Sequence, residues 1–241
     1  MSDAPQITLV EETGSTNADV ASAIRSGDTS GVGAWHVARR QSAGKGRQGR
    51  EWHDGAGNFM GSTAVKIQDG DPPPASLSFV AALAVGQAID EALAGKSRPK
   101  LKWPNDVLLD GGKVSGILLE MVGSHVVVGI GVNLIYAPDL PDRKTAALSD
   151  YGYAPDSETF AAILAKVFAR YLAAWRTDGL APVLHGFAAN ALHYTGSPVT
   201  VHDTDGSKIE GKFAGFEITD GALRLTLADG SERVIRAGDI S

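Results

Sequence analysis

The chain has no cysteine among its 241 residues, which excludes disulfides, thiolate-held zinc and an enzyme-bound thioester. That composition fits a reducing compartment. There is no apolar run approaching the roughly 18 residues of a membrane-spanning helix. The opening Met1-Ser2-Asp3-Ala4-Pro5 lacks the basic stretch and apolar core of a secretory signal. Together these absences predict a cytoplasmic protein that does not touch a membrane. The six histidines show no metal-ligand spacing and no Gly-x-Ser-x-Gly elbow occurs, so metal-ligand and serine-hydrolase chemistry are not expected. Positive charge is also scarce. With 22 Lys and Arg against 28 Asp and Glu the net charge is -6, which argues against non-specific nucleic-acid binding.

Against that acidic background the cations are unevenly spread. Residues 39–50 hold Arg39, Arg40, Lys45, Arg47 and Arg50 and no acid. Inside this stretch, Gly44-Lys45-Gly46-Arg47-Gln48-Gly49-Arg50 combines three glycines, which let backbone approach a ligand closely, with three long cations. Phosphate is the natural counterpart. The letters spell Gly-x-Gly-x-x-Gly, but residues 51–58 have no helical period, so a dinucleotide fold is not expected. Neither Lys45 nor Lys113 is followed by the Ser or Thr of a P-loop. A solvated surface loop with incidental charge is the competing reading. Trp52, at the exit of the loop, favours the functional one, because an indole beside basic residues can stack on a purine.

Periodicity places the elements. Strands are predicted at Ile7–Val10, Trp35–Ala38, Phe59–Ile67, Leu101–Trp103, Val107–Leu109, Val114–Val122 and His125–Val132. Helices are predicted over about 16–26, 75–94, 160–175 and 182–192. Residues 137–156 read as a long connection. From Ser197 the pattern turns to short strands at 199–201, 208–216, 223–227 and 234–235. Asp-Gly pairs at 205–206, 220–221 and 229–230 separate them, which suggests a small barrel. A boundary near Thr195 divides the chain into residues 1–194 and 195–241.

Other chemistry-bearing segments are individually weaker. In Lys102-Trp103-Pro104-Asn105-Asp106 a strand-end lysine sits between apolar neighbours, where burial is costly without an anion. A strand-end turn with a snorkelling lysine explains the same letters. Lys113 lies in Gly111–Gly116, most simply a hairpin turn. Gly129-Ile130-Gly131-Val132-Asn133 puts glycine at alternate strand positions and leaves one sheet face bare for a flat ligand. Ser15-Thr16-Asn17 reads as a helix cap whose small polar groups could also bind a urea or amide.

Taken in order, Ser15-Thr16-Asn17, Gln41 with Gly44–Trp52, Lys102–Asp106, Lys113 through Gly116-Ile117-Leu118-Leu119-Glu120, and Gly129–Asn133 resemble the biotin–protein ligases. The motif-grade likeness spans residues 15–133. The resemblance implies an α+β fold: a mixed, largely antiparallel sheet with packed helices, like class II synthetases, followed by a small SH3-like β-barrel. It implies that biotin and ATP, carrying Mg²⁺ on its phosphates, form biotinyl-5′-adenylate. The biotinyl group then passes to a lysine of a biotin carboxyl carrier domain. On this reading Ser15, Thr16, Asn17 and Gln41 would bind the biotin head and chain. Gly116, Gly129 and Gly131 would make room for its rings. Lys45, Gly46, Arg47 and Arg50 would wrap the reactants, Trp52, Lys113 and Asn133 would hold the nucleotide, and Lys102 and Arg47 would be catalytic. Lys45 departs from the usual arginine, keeping charge but losing bidentate geometry. The first motif begins by residue 15, so no DNA-binding domain is expected. Relatives include monomers and homodimers. A lipoate or octanoate ligase of the same fold, or a sensing module without turnover, are the rival readings.

Overall fold

In the computed structural model, residues 5–202 and 206–241 are described. The reading of residues 1–5 and the turn at 205–206 therefore fall wholly or partly outside them. The first strand, β1 (Ile7–Thr13), pairs in parallel with β2 (Trp35–Gln41), because α1 (Thr16–Arg25) carries the chain back between them. Ser15, in extended conformation, caps α1 by accepting from the Ala18 amide at 3.5 Å. The helix ends just before Gly27, whose φ of +87° suits glycine.

Every later pairing in the main sheet is antiparallel: β3 (Phe59–Lys66), β4 (Lys100–Lys102), β5 (Asp106–Leu109), β6 (Gly112–Val122) and β7 (His125–Val132). The strand order is β1-β2-β3-β7-β6-β5-β4. This is the mixed sheet that the resemblance implies.

Alternation along β7 assigns the two faces of the sheet. Val126, Val128, Ile130 and Val132 enter the main core with α2 (Leu77–Ala92) and α3 (Ser157–Thr177). Val127, pointing the other way, belongs to a small second cluster with Ala21 of α1 and Val122. Gly129 and Gly131 share that second face, and so do their partners Leu118 and Gly116 on β6 and Ser62 and Met60 on β3. One short helix therefore covers only part of a face that its glycines leave shallow, and a cavity results.

The main core is built from apolar stripes at helical spacing, as the sequence predicts, and from aromatic contacts. Trp35 meets Phe168 edge-on at 5.5 Å, and Phe59 meets Phe160 at 5.4 Å. The segment Pro74–Ala92 has the length and apolarity to cross a membrane, contrary to the expectation that none does, yet 61% of it is buried inside the fold. It is the central core helix, apolar on nearly every side because sheet and helices surround it.

After α4 (Leu180–Asn190) come β8 (Pro198–His202), β9 (Lys208–Phe216), β10 (Leu223–Thr226), β11 (Glu232–Ile235) and β12 (Asp239–Ile240). They form a second, fully antiparallel sheet in the order β11-β10-β9-β8-β12. Among the described residues β11 and β12 do not pair. The two-residue β12 has too little pattern to be read from sequence. Phe216 packs against Phe79 of α2 and Phe187 of α4 at 5.7 and 5.4 Å, so the second sheet shares its core with the first.

The stretch 137–156 is more structured than a plain connection. Thr145 bridges to Lys113 of β6, Ala146–Leu148 are buried, and Leu148–Tyr151 form a 3₁₀ turn. The sequence signal is weak because this segment is held by β6 and Asn133 and not by a periodic stripe of its own.

Trp175 is fully buried and donates its indole N–H to Ser76 Oγ at 2.8 Å. Trp175→Ala should lower the unfolding free energy by about 3–5 kcal/mol in urea titrations. Trp175→Phe, which loses the hydrogen bond and less volume, should cost clearly less. Equal losses in the two variants would contradict this packing.

Candidate functional site

The cavity on the glycine face has a volume of about 290 Å³. It collects Ser15, Thr16, Asn17, Gln41, Lys45, Gly46, Arg47, Arg50, Trp52, Lys113, Gly116, Gly129, Gly131 and Asn133 in its lining. Of the residues to which the resemblance gives a site role, Lys102 alone is missing from that lining.

One end is neutral and hydrogen-bonding. The Thr16 amide and hydroxyl donate to Gln41 Oε1 at 2.7 and 3.0 Å. Thr16 Oγ1 lies 2.7 Å from Ser62 Oγ, and Ser62 donates to Asn17 Oδ1 at 2.6 Å. Asn17 Nδ2 in turn donates to Glu120 Oε2 at 2.7 Å. These groups are buried apart from Glu120, and each is oriented by the next, so the rotamers at this end are defined before any ligand arrives.

The floor is the glycine face, and the structure shows what lies on it. A Cβ at Gly129 would sit 2.1 Å from Asn17 Oδ1, and one at Gly131 would sit 2.2 Å from the Trp52 indole. At Gly116 the nearest indole atom would be 3.1 Å away. Thus part of the flat surface anticipated for a ligand is covered by the chain's own Asn17 and Trp52. The Trp52 N–H is buried against Gly131 with no hydrogen-bond partner among the described residues.

The other end is charged. Loop 44–52 closes as a narrow hairpin: Gly46 N–H donates to Arg50 O at 2.7 Å and Trp52 N–H to Gly44 O at 3.0 Å. Gly44 is required there, because a Cβ would lie 2.8 Å from Trp52 O. Its centre is a three-residue 3₁₀ turn, Arg47–Gly49, too short to offer the helix N-terminus of a dinucleotide fold, as the sequence implies.

Arg47 donates to Asn105 Oδ1 at 3.1 Å and to Asp239 Oδ1 at 3.0 Å, and Arg50 pairs with the other oxygen of Asp239. Lys113 pairs with Asp106 at 2.6 Å, and Arg143 with Asp142. Asn133 donates to Ala146 O at 3.1 Å, so in this arrangement its amide braces the segment above β6.

Lys102 ends β4, directly opposite Asp106 of β5. It makes no ion pair among the described residues. Burial pushes its ammonium below the usual lysine range, opposed by Asp106 and Asp239 and aided by Lys113 and Arg143. It lies outside the cavity lining as a half-buried cation.

Residues 12–133 match the biotin/lipoate A/B protein ligase family. The chain is 41% identical to the biotin–[acetyl-CoA-carboxylase] ligase of Paracoccus denitrificans, over 96% of its own length and 98% of the relative's. The chain belongs to this ligase family. It is also 36% identical to the protein of the same name from Mycobacterium tuberculosis, over 98% of this chain and 88% of the other. The structure of the biotin protein ligase from Aquifex aeolicus in complex with biotin and ATP superposes with a TM-score of 0.83 at 25% identity, covering 98% of this chain and 97% of that one.

Ser62, Arg143 and Asp239 line the cavity and Glu120 supports Asn17; none of them was legible in sequence as a site residue, although Glu120 closes the motif that begins at Lys113. Ser62 carried one signal: a polar residue inside the apolar strand Phe59–Lys66. Arg143 and Asp239 carried none, since contacts across the fold bring them in.

Three of the four tryptophans, Trp35, Trp103 and Trp175, are buried, leaving Trp52 as the half-exposed one. Gly131→Ala should expel the Trp52 indole, red-shift the emission and increase acrylamide quenching. An unchanged spectrum would contradict the contact over Gly131.

Proposed function

We propose that the chain joins biotin to ATP, forming biotinyl-5′-adenylate and pyrophosphate, and then passes biotin to a lysine of a biotin carboxyl carrier domain. The observation that carries this reading is the polarity of one cavity. One cavity carries a neutral network on Thr16, Asn17, Gln41 and Ser62 and a set of cations on Lys45, Arg47, Arg50 and Lys113, with Gly116, Gly129 and Gly131 keeping its floor low. A ureido head offers both donors and acceptors to the first end, and a triphosphate suits the second. That the Paracoccus and Mycobacterium relatives are biotin ligases, and that the Aquifex structure holds biotin and ATP, supports the same assignment.

In the first step a biotin carboxylate oxygen attacks the α-phosphorus and pyrophosphate leaves. Two anions must meet, so fixed cations offset their repulsion and stabilise charge developing in the transition state. Arg47 and Arg50 receive phosphate oxygens. Lys102, unpaired and strained by burial, is relieved by an anion shared between the reactants. In the second step the neutral amine of the acceptor lysine attacks the acyl carbonyl and AMP departs. Between the steps water must be excluded, which is the task of loop 44–52 with Trp52 at its exit. Mg²⁺ enters with ATP on its phosphates. Residues 1–194 form the catalytic unit and 195–241 a second unit. Among the described residues no strand pairing joins the two sheets across that boundary, which supports the division. The protein works in the cytoplasm.

The lipoate or octanoate reading is disfavoured by the neutral end. An octanoyl chain would leave Thr16, Asn17 and Gln41 without ligand partners and desolvated. ATP–pyrophosphate exchange measured in parallel with biotin, lipoate and octanoate should proceed with biotin alone. Exchange with an aliphatic acid instead would overturn the assignment, and none with any acid would leave a sensor. Lys102→Ala should reduce exchange by about a hundredfold or more while retaining the fold; near-normal exchange would remove its role. Arg47→Gly should release adenylate and biotinylate lysines on unrelated proteins. Strict carrier selectivity in that variant would count against the lid.

A further inference from the structure

The shortest strand in the chain makes the densest contact with the basic loop. Asp239, in β12, gives one carboxylate oxygen to Arg47 and the other to Arg50. Arg47 also donates to the carbonyl of Gly238 at 3.2 Å. Gly238 has φ of +127°, and a Cβ there would lie 2.8 Å from His202 O, so only glycine lets the chain turn to present both acceptors. β12 is itself fixed: Asp239 and Ile240 pair with His202 and Val201 of β8, and Ile240 is buried in the shared core. The carboxylate is thus held on a rigid element and reaches across the fold to a loop whose own backbone bonds are few.

Burial tends to raise the Asp239 carboxyl, but its hydrogen bond from Arg50 and the charges of Arg50, Arg47 and Lys113 hold it below the usual range. It is ionised at neutral pH. A carboxylate and a phosphate present similar paired oxygens to a guanidinium. Asp239 therefore occupies the arginines as a phosphate would.

We propose that Asp239 is a positioning residue for ATP: it holds Arg47 and Arg50 in their working arrangement before the nucleotide arrives. The inference rests on the function proposed above. The loop is ordered in advance by the second sheet, so ATP does not bear the cost of ordering it. On binding, phosphate oxygens share or replace the carboxylate on the two guanidiniums. The neutral end of the cavity is not coupled to this clamp, because none of its hydrogen bonds involves Asp239.

The test is Asp239→Asn, with Asp239→Glu as the conservative rescue, in the full chain. In the unliganded protein, trypsin should nick the loop at Lys45, Arg47 or Arg50 about three- to tenfold faster than in the wild type, as expected for two half-exposed ion pairs. KM for ATP should rise by a similar factor, with KM for biotin unchanged and substantial restoration by Glu. Unchanged nicking with unchanged KM for ATP would overturn the proposal. A fall in KM for ATP would also overturn it, since the carboxylate would then be only a competitor. A parallel rise in both KM values would mark a general structural lesion and overturn it too. If the wild type catalysed no exchange at all, the ligase reading would fail, while the proteolysis would still report the clamp.

Discussion

Everything at the cavity depends on the absence of two methyl groups. At Gly129 and Gly131 any side chain would collide with Asn17 or Trp52, and the sheet face could then neither seat those residues nor leave a cavity beside them. Alternation along β7 makes this economical. The same eight residues send Val126, Val128, Ile130 and Val132 into a tightly packed core on the other side. Strand glycines weaken a sheet, and here the weakness is confined to a strand paired on both edges over its length.

The two ends of the cavity are preorganised by different means. The neutral end uses a chain of short hydrogen bonds between buried groups from α1, β2 and β3, ending on the exposed Glu120 of β6, so that no member can rotate without breaking a neighbour's bond. The charged end uses pairs that water and ligands can compete for, because Arg47, Arg50 and Arg143 remain partly exposed. A ligand recognised first by fixed neutral groups and then enclosed by exchangeable cations suits a reaction whose intermediate has to be retained and later surrendered.

Much of this was legible in the sequence for physical reasons that can be named. α3 was readable because Phe160, Leu164, Val167, Phe168 and Trp175 bury one face at helical spacing. The basic loop stood out because its charge opposes that of the chain, and the bare strand because glycine is rare in a strand without cause. What stayed hidden was set by contacts distant in sequence. Asp239 meets the loop about 190 residues away, and β12 is too short to have a period. Residues 146–148 are buried by pairing to Lys113 and Asn133, not by a hydrophobic stripe. Lys102 was conspicuous as a cation between apolar strand residues, but sequence could not show that it falls outside the cavity lining.

The covering of α1 has a thermodynamic side. Its apolar anchorage is the small cluster of Ala21, Val122 and Val127, edged by Val20 and Ile24, whereas α2 is embedded in the main core. Local opening needs only the contacts of the opening unit to be lost, so its free energy is far below that of global unfolding where such contacts are few. α1 is therefore the element whose amides should exchange with solvent deuterium ahead of the other long helices. Because Ser15, Thr16 and Asn17 sit at its first turn, an occupant bonded to them would close that opening and slow the exchange. The least anchored helix of the fold thereby becomes the one on which occupancy has the largest leverage.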